Sequence, residues 1–238
     1  MKKVNLVLLH GWLFDSFIWD DLKTELEKNY HVKSPNFLVH ENHKEKITPS
    51  ELSIDDYLEN QPWENILIGY SFGGMMCVRF ALENKAISKL ILINSSFPSS
   101  YSEINNQEID SLILDLEANK NQAIKRFIYK CCKNSFSQKK DFKSLMDLQT
   151  KYSNIHEETL IQSLISIKKL RELLDSENSI GIDTLIIQGE HDSFFPPRTF
   201  VVNGSSNIHI KVVKGMAHYP FLSFHNEIKK EIIKFVED

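Results

Sequence analysis

Asn65-Ile66-Leu67-Ile68-Gly69-Tyr70-Ser71-Phe72-Gly73-Gly74 is the stretch that decides the fold. A short apolar run, Ile66–Ile68, goes straight into G-x-S-x-G, and a helix-like pattern from Met75 to Glu83 follows. This is the strand–turn–helix setting in which G-x-S-x-G carries a nucleophile. A serine at the tip of so sharp a turn needs small neighbours two residues away, and Gly69 and Gly73 have no Cβ to collide across it. Ser71 Oγ is then expected to project clear of the sheet, with the Phe72 N–H aimed where an oxyanion would form.

Outward from this stretch, further apolar runs read as buried strands: Val4–Leu9, Lys89–Asn94, Thr184–Gln188 and His209–Val213, with a short weak strand at His31–Ser34. Helical periodicity marks Phe17–Asn29, with Asp15 or Ser16 as N-cap, a short helix Ser53–Leu58 capped by Ser53, and a closing helix Asn226–Val236. The polar stretch Asn36–Leu52 reads as loop. Strands alternating with helices indicate an α/β fold with a mostly parallel sheet flanked by helices. From Ser95 to about Glu177 there is no glycine and no strand-like run. Four helical segments fit there: Glu108–Ala118, Asn121–Cys132, Lys139–Tyr152 and Glu157–Leu174. The expectation is a single domain over 1–238 with a helical cap insertion at about 97–177. Six of the eight glycines fall just after predicted strands, on the sheet edge where α/β folds bind ligands.

A serine hydroxyl needs a base, and the base needs a carboxylate to fix its tautomer. In the chain order Ser, acid, His, the candidates are Asp192, in G-E-H-D-S-F-F-P, and His218, in G-M-A-H-Y-P-F, each following a predicted strand. Glu190 is the weaker rival for the acid. His10 reads as a brace of the loop after the first strand, and His191 as pointing elsewhere. His40 and His43 have no further ligand set around them, so no metal is expected. The second oxyanion donor belongs in the loop after the first strand, which assigns the Trp12 N–H beside that of Phe72.

Net charge is −4 and hydrophobic residues make up 42%, ordinary values that give no pull towards nucleic acid. Three cysteines, two of them adjacent, do not resemble a disulfide framework, and a reducing cytoplasm is the simplest reading. Val4–Leu9 is too short for a signal peptide's apolar region and no cleavage site follows it; no run reaches transmembrane length.

With these residues placed, the chain resembles the α/β-hydrolase family, and within it the esterases of biotin synthesis that act on a pimeloyl methyl ester held by an acyl carrier protein. The resemblance is carried by L-V-L-L-H-G-W at Leu6–Trp12, G-Y-S-F-G-G at Gly69–Gly74, G-E-H-D-S-F-F-P at Gly189–Pro196 and A-H-Y-P-F at Ala217–Phe221. It implies Ser71 as nucleophile, Asp192 and His218 as its partners, Trp12 and Phe72 as oxyanion donors, and no cofactor. The chain departs from the family in five places, one of them the helical insertion, which matches only loosely. Val4 already begins the strand before His10-Gly11, where relatives carry two more. The loop after His31–Ser34 lacks their Gly-rich turn. Tyr70 stands where tryptophan is frequent, and Leu13-Phe14 are bulky. The rival readings are a general short-chain carboxylesterase or thioesterase, and a non-catalytic binding protein on the same fold.

Lys120–Lys143 holds eight basic residues and one acid. In Asn121–Cys132, helical spacing puts Ile124, Phe127, Ile128 and Cys131 on one face and Arg126, Lys130 and Lys133 on the other. With Lys125, these cations are the expected docking face for an acidic carrier protein; the plain alternative is a solvated helix surface. A monomer is expected, with no nucleic acid partner and no membrane span.

Overall fold

The computed structural model describes residues 3–37, 52–96, 106–148, 155–175, 180–197 and 207–238. Six strands form one sheet: β1 (Lys3–Leu9), β2 (His31–Lys33), β3 (Trp63–Tyr70), β4 (Ile87–Ile93), β5 (Asp183–Gly189) and β6 (Ile208–Val213). Their order is β2-β1-β3-β4-β5-β6 and every ladder is parallel. The central strands are buried on both faces, which is why they read as continuous apolar runs rather than alternating ones.

Strand β3 begins three residues earlier than its apolar run, because its polar start is satisfied in place. Asn65 faces Asn5 across the ladder and accepts from Asn5 Nδ2 at 2.8 Å, while its own amide donates to the Glu59 carbonyl at 2.8 Å. The helices are α1 (Asp20–Leu26), α2 (Phe72–Glu83), α3 (Gln107–Cys132), α4 (Gln138–Leu148), α5 (Glu157–Asp175) and α6 (His225–Glu237). Two expected starts differ. Phe17 enters α1 through a 3-10 turn, Ser16–Trp19, capped by Asp15, whose carboxylate accepts from the Phe17 N–H at 2.9 Å. Ile54–Tyr57 is a 3-10 turn rather than a helix, and Ser53 makes no capping bond.

Strand β2 lies on one side of β1, whereas β4 lies on the other side of β3. Right-handed crossovers running in opposite directions put α1 and α2 on opposite faces of the sheet. The reversal between β1 and β3 is the crevice where such sheets bind ligands. Gly11-Trp12 and Ser71 emerge there. Helices α1 and α6 come together on one face, joined by Lys229 and Glu25 at 3.5 Å.

Between β4 and β5 the described chain holds only α3, α4 and α5. The first of these is two helices: Asn119 has extended backbone (φ −164°, ψ 96°) and its side chain accepts from the Gln122 N–H at 3.0 Å, starting a second helix. The halves fold back on each other. Lys130 reaches Glu108 at 2.8 Å, whereas a straight helix would hold residues 22 apart about 33 Å from each other. This agrees with the separate periods read over Glu108–Ala118 and Asn121–Cys132. Most of the polar stretch Asn36–Leu52 (38–51), the end of the segment Lys139–Tyr152 (149–154) and the borders of the expected insertion (97–105 and 176–179) lie outside the described residues. Among the described residues no helix is long and apolar enough to cross a membrane.

Candidate active site

Ser71 ends the β3 turn at φ 53°, ψ −119°, a left-handed conformation that costs an L-residue energy and is held only where its surroundings enforce it. The enforcement is visible. A Cβ on Gly69 would strike the Gly74 backbone, and one on Gly73 would strike the Leu9 carbonyl. Ser95 Oγ donates to the Ser71 carbonyl at 2.6 Å, and the Ser71 N–H donates to the Ile93 carbonyl at 3.0 Å.

The structure brings Ser71, His218 and Asp192 into one hydrogen-bonded chain. His218 Nε2 is 3.0 Å from Ser71 Oγ, and Nδ1 is 3.0 and 3.1 Å from the two Asp192 oxygens. In the neutral imidazole, an N–H at Nδ1 facing the Asp192 carboxylate leaves Nε2 as the acceptor that faces the serine. Asp192 and His218 are 3% and 2% exposed, so the pair is shielded from water. The carboxylate is well supplied with donors. Oδ1 accepts from the Phe194 and Phe195 N–H groups at 2.8 and 3.0 Å, and Oδ2 from Gln188 Nε2 at 2.9 Å.

Glu190 faces elsewhere, accepting from the Gly215 N–H at 2.8 Å, where it braces the turn after β6. His191 approaches Glu190 at 3.7 Å and takes no part in the Ser71 chain. His10 is a buried brace. Its ring stacks on Phe37 at 4.0 Å, Nδ1 donates to the Gly11 carbonyl at 2.9 Å, and Nε2 accepts from the Phe37 N–H at 3.4 Å. His40 and His43 lie outside the described residues.

Tyr70 is fully buried against His218, ring centroids 5.2 Å apart. Burial pushes its phenol well above the usual range, with Cys131, Tyr219 and Asp192 adding to the effect. Burial likewise pushes the Cys131 thiol up, and Cys132 up to about 12, so these neighbours stay neutral at working pH.

A cavity of about 90 Å³ opens beside Ser71 and His218. Trp12 and Phe72 both line it. Phe72 is the first residue of α2, so its N–H is one of the donors that a helix leaves without an internal partner. The Trp12 indole fastens the loop after β1 to α5, donating to Ser163 Oγ at 2.8 Å.

The inward face of the second half of α3 is as expected: Ile124, Ile128 and Cys131 are buried and Phe127 lines the cavity. The opposite face does not carry a single sign. Arg126 pairs with Asp115 at 2.9 Å, and Lys130 pairs with Glu108 while its ammonium stands 4.3 Å from the Phe194 ring centroid. Both acids come from the first half of the hairpin, which the spacing within one helix could not bring in. Lys125 and Lys133 are exposed.

Sequence reasoning missed two residues. Gln188 holds Asp192 from the end of β5. Asn94, buried at φ 45°, donates to the Ala217 and His218 carbonyls at 2.9 and 2.7 Å and accepts from the Gly189 N–H at 2.7 Å. It ties the histidine loop to the strand that leads to the acid. The signal available was a polar residue closing the apolar run Lys89–Asn94.

Comparison with known proteins agrees with this architecture. Residues 4–221 match the alpha/beta hydrolase fold family. The pimeloyl-[acyl-carrier protein] methyl ester esterase of Nitrosospira multiformis is 23% identical, over 97% of this chain and 94% of its own. The protein of the same name from Vibrio parahaemolyticus is 25% identical, over 98% and 94%. An esterase from Exiguobacterium antarcticum superposes with a TM-score of 0.76 at 19% identity, over 100% of this chain and 94% of that one, a likeness of fold. The family match runs from β1 to just past His218, so all but the first residue of the sheet and every residue of the Ser71 chain lie within it: the chain belongs to the alpha/beta hydrolase fold family, and its sequence relatives are carboxylic ester hydrolases.

Proposed function

We propose that the protein is a serine carboxylesterase whose substrate is the methyl ester of a pimeloyl group carried by an acyl carrier protein. The observation that carries the reaction is the Ser71–His218–Asp192 chain with Nε2 at 3.0 Å from Oγ. His218 Nε2 takes the Ser71 proton as Oγ bonds to the ester carbon, and the carbonyl oxygen becomes an oxyanion held by the Trp12 and Phe72 N–H groups. The His218 proton then passes to the departing methoxide, giving methanol and an acyl-Ser71. Water, deprotonated by His218, attacks the acyl carbon, and the returning proton restores Ser71 as the acid leaves. Asp192 stays ionised and stabilises the imidazolium in both steps.

The substrate is supported by the relatives' name over nearly the full chain length at 21–25% identity. Lys125, Arg126, Lys130 and Lys133 are the proposed docking residues, now as part of a mixed-sign surface. The inserted helices act as the cap over Ser71. Three free, buried cysteines support a reducing compartment, the cytoplasm. The test is hydrolysis of pimeloyl-carrier methyl ester beside the free methyl ester. Preference for the carrier-bound form supports the assignment, and indifference to the carrier removes it.

One observation favours a second reading, a general short-chain carboxylesterase. The cavity, about 90 Å³ and walled largely by apolar side chains, is small enough to suit a short acyl chain. A panel of nitrophenyl esters of rising chain length separates the two, since a generalist would peak at the shortest chains.

A further inference from the structure

The cavity beside Ser71 has a charge on its inner wall that the mechanism does not use. Arg171 is 6% exposed and lines the same cavity as Ser71 and His218. A guanidinium stays protonated at any working pH and carries five N–H donors in a planar fork that suits a carbonyl or carboxylate. Glu108, the other charged residue of the lining, has its side chain 55% exposed and is paired with Lys130 at the outer side. Arg171 therefore brings N–H donors to the lining of the cavity, alongside its contacts within the protein.

Arg171 is also set at a distance. Leu164, Ile167 and Arg171 lie at i, i+3 and i+7 on α5 and all line the cavity. The start of that row is fastened beside the site by the Trp12–Ser163 hydrogen bond. Seven residues of helix place Arg171 about 10 Å further along than Leu164. Between the two ends the walls are apolar, from Ile109 and Leu112 on one side and Leu164 and Ile167 on the other.

We propose that Arg171 is a specificity-determining residue that reads a second oxygen-bearing group, a carbonyl or carboxylate, at the far end of the acyl chain whose ester carbon lies at Ser71. The substrate class is then a bifunctional acyl chain: an ester at one end, methylenes between, and an oxygen acceptor at the other. This deepens the esterase reading above and rests on it.

The test compares half-methyl esters of straight-chain dicarboxylic acids with methyl esters of monocarboxylic acids of equal carbon number, followed by acid release on the full chain. The wild type should favour the half ester in kcat/KM by about tenfold or more, the scale of a hydrogen bond to a charged group. In Arg171→Met that ratio should fall to about one, and Arg171→Lys should retain part of it. A merely structural role would lower both rates together and leave the ratio unchanged, which overturns the proposal, as does a wild type that treats both esters alike. Arg171 has other contacts within the protein, so if the Met variant does not fold, the wild-type and Lys ratios decide. If neither free ester turns over, the esterase reading is judged on the carrier-bound ester and Arg171 by ligand-induced Tm. A rise with the half ester that the Lys or Met variant weakens keeps the proposal, and an equal rise in all forms overturns it.

Discussion

At the scale of single residues, the site's logic is a contest between two neighbouring acids. Asp192 and Glu190 are two positions apart, yet one turns inward to His218 and the other binds the Gly215 N–H. Asp192→Asn should lower kcat by about 10⁴-fold, because an amide no longer fixes the imidazole tautomer or stabilises its cation. Glu190→Gln should leave kcat within about tenfold of wild type, losing only part of one charged hydrogen bond. Steady-state kinetics on a nitrophenyl ester checks both, and equal losses would show that the wrong acid has been assigned. Tyr70 supplies a second residue-level test. Its hydroxyl is buried without a hydrogen-bond partner among the described residues. Tyr70→Phe removes a polar group that has been desolvated for no return, so stability should hold or rise by about 1 kcal/mol. A clear fall in the denaturation midpoint would mean that the hydroxyl has a partner. The serine, the acid and the histidine were legible in sequence because each follows an apolar strand inside a recognisable turn. Asn94 was not, because its work exists only once β4, β5 and the loop after β6 lie together, and Gln188 was not, because its bond to Asp192 exists only once the turn after β5 folds back on the strand.

At the scale of elements, the inserted helices hold the least legible part of the fold. The break at Asn119 could be read from two separate helical periods, but the pairing of Arg126 with Asp115 and Lys130 with Glu108 depends on a hairpin closing. No periodicity within one helix reports a neighbour reached by folding back. Helix α4 carries a similar surprise in Asp141, expected in a basic, solvated run and found buried. Ser223 Oγ donates to its Oδ1 at 2.5 Å, tying α4 to the loop beyond His218, while Oδ2 has no partner among the described residues. Burial raises its carboxyl above the usual range, against the opposing effects of Ser223 and Lys140. A raised folded-state pKa favours the neutral form. The fold therefore has its full stability from this group below the usual carboxylate pKa and loses it as pH rises through the folded value. Asp141→Asn keeps an acceptor for Ser223 without the charge. Its Tm should exceed that of wild type at pH 8, and the difference should shrink as pH falls towards the carboxylate range. A difference that does not vary with pH contradicts this account.

At the scale of the whole molecule, the sheet order does the positioning. Its reversal between β1 and β3 places Trp12 and Ser71 on the two sides of one crevice, and β5 and β6 deliver Asp192 and His218 to the same edge. That the site lies beyond the strand ends followed from apolar runs that end in glycine; the strand order and its reversal did not. The charge layout followed only in part, since the basic segment is partly neutralised by acids elsewhere in the hairpin. The proposed carrier docking is best tested on cations outside those ion pairs. Lys125→Glu with Lys133→Glu should lower the ratio of kcat/KM for the carrier-bound ester over that for a small nitrophenyl ester, and added salt should lower the same ratio in the wild type. A ratio unmoved by either removes electrostatic docking from the account. The central claim is that Ser71 is the nucleophile, and peptide mass spectrometry of the protein after inactivation by a serine-directed phosphonate tests it most directly. The account predicts one adduct per chain, on Ser71, formed in proportion to lost esterase activity; full inactivation with Ser71 unmodified would contradict it.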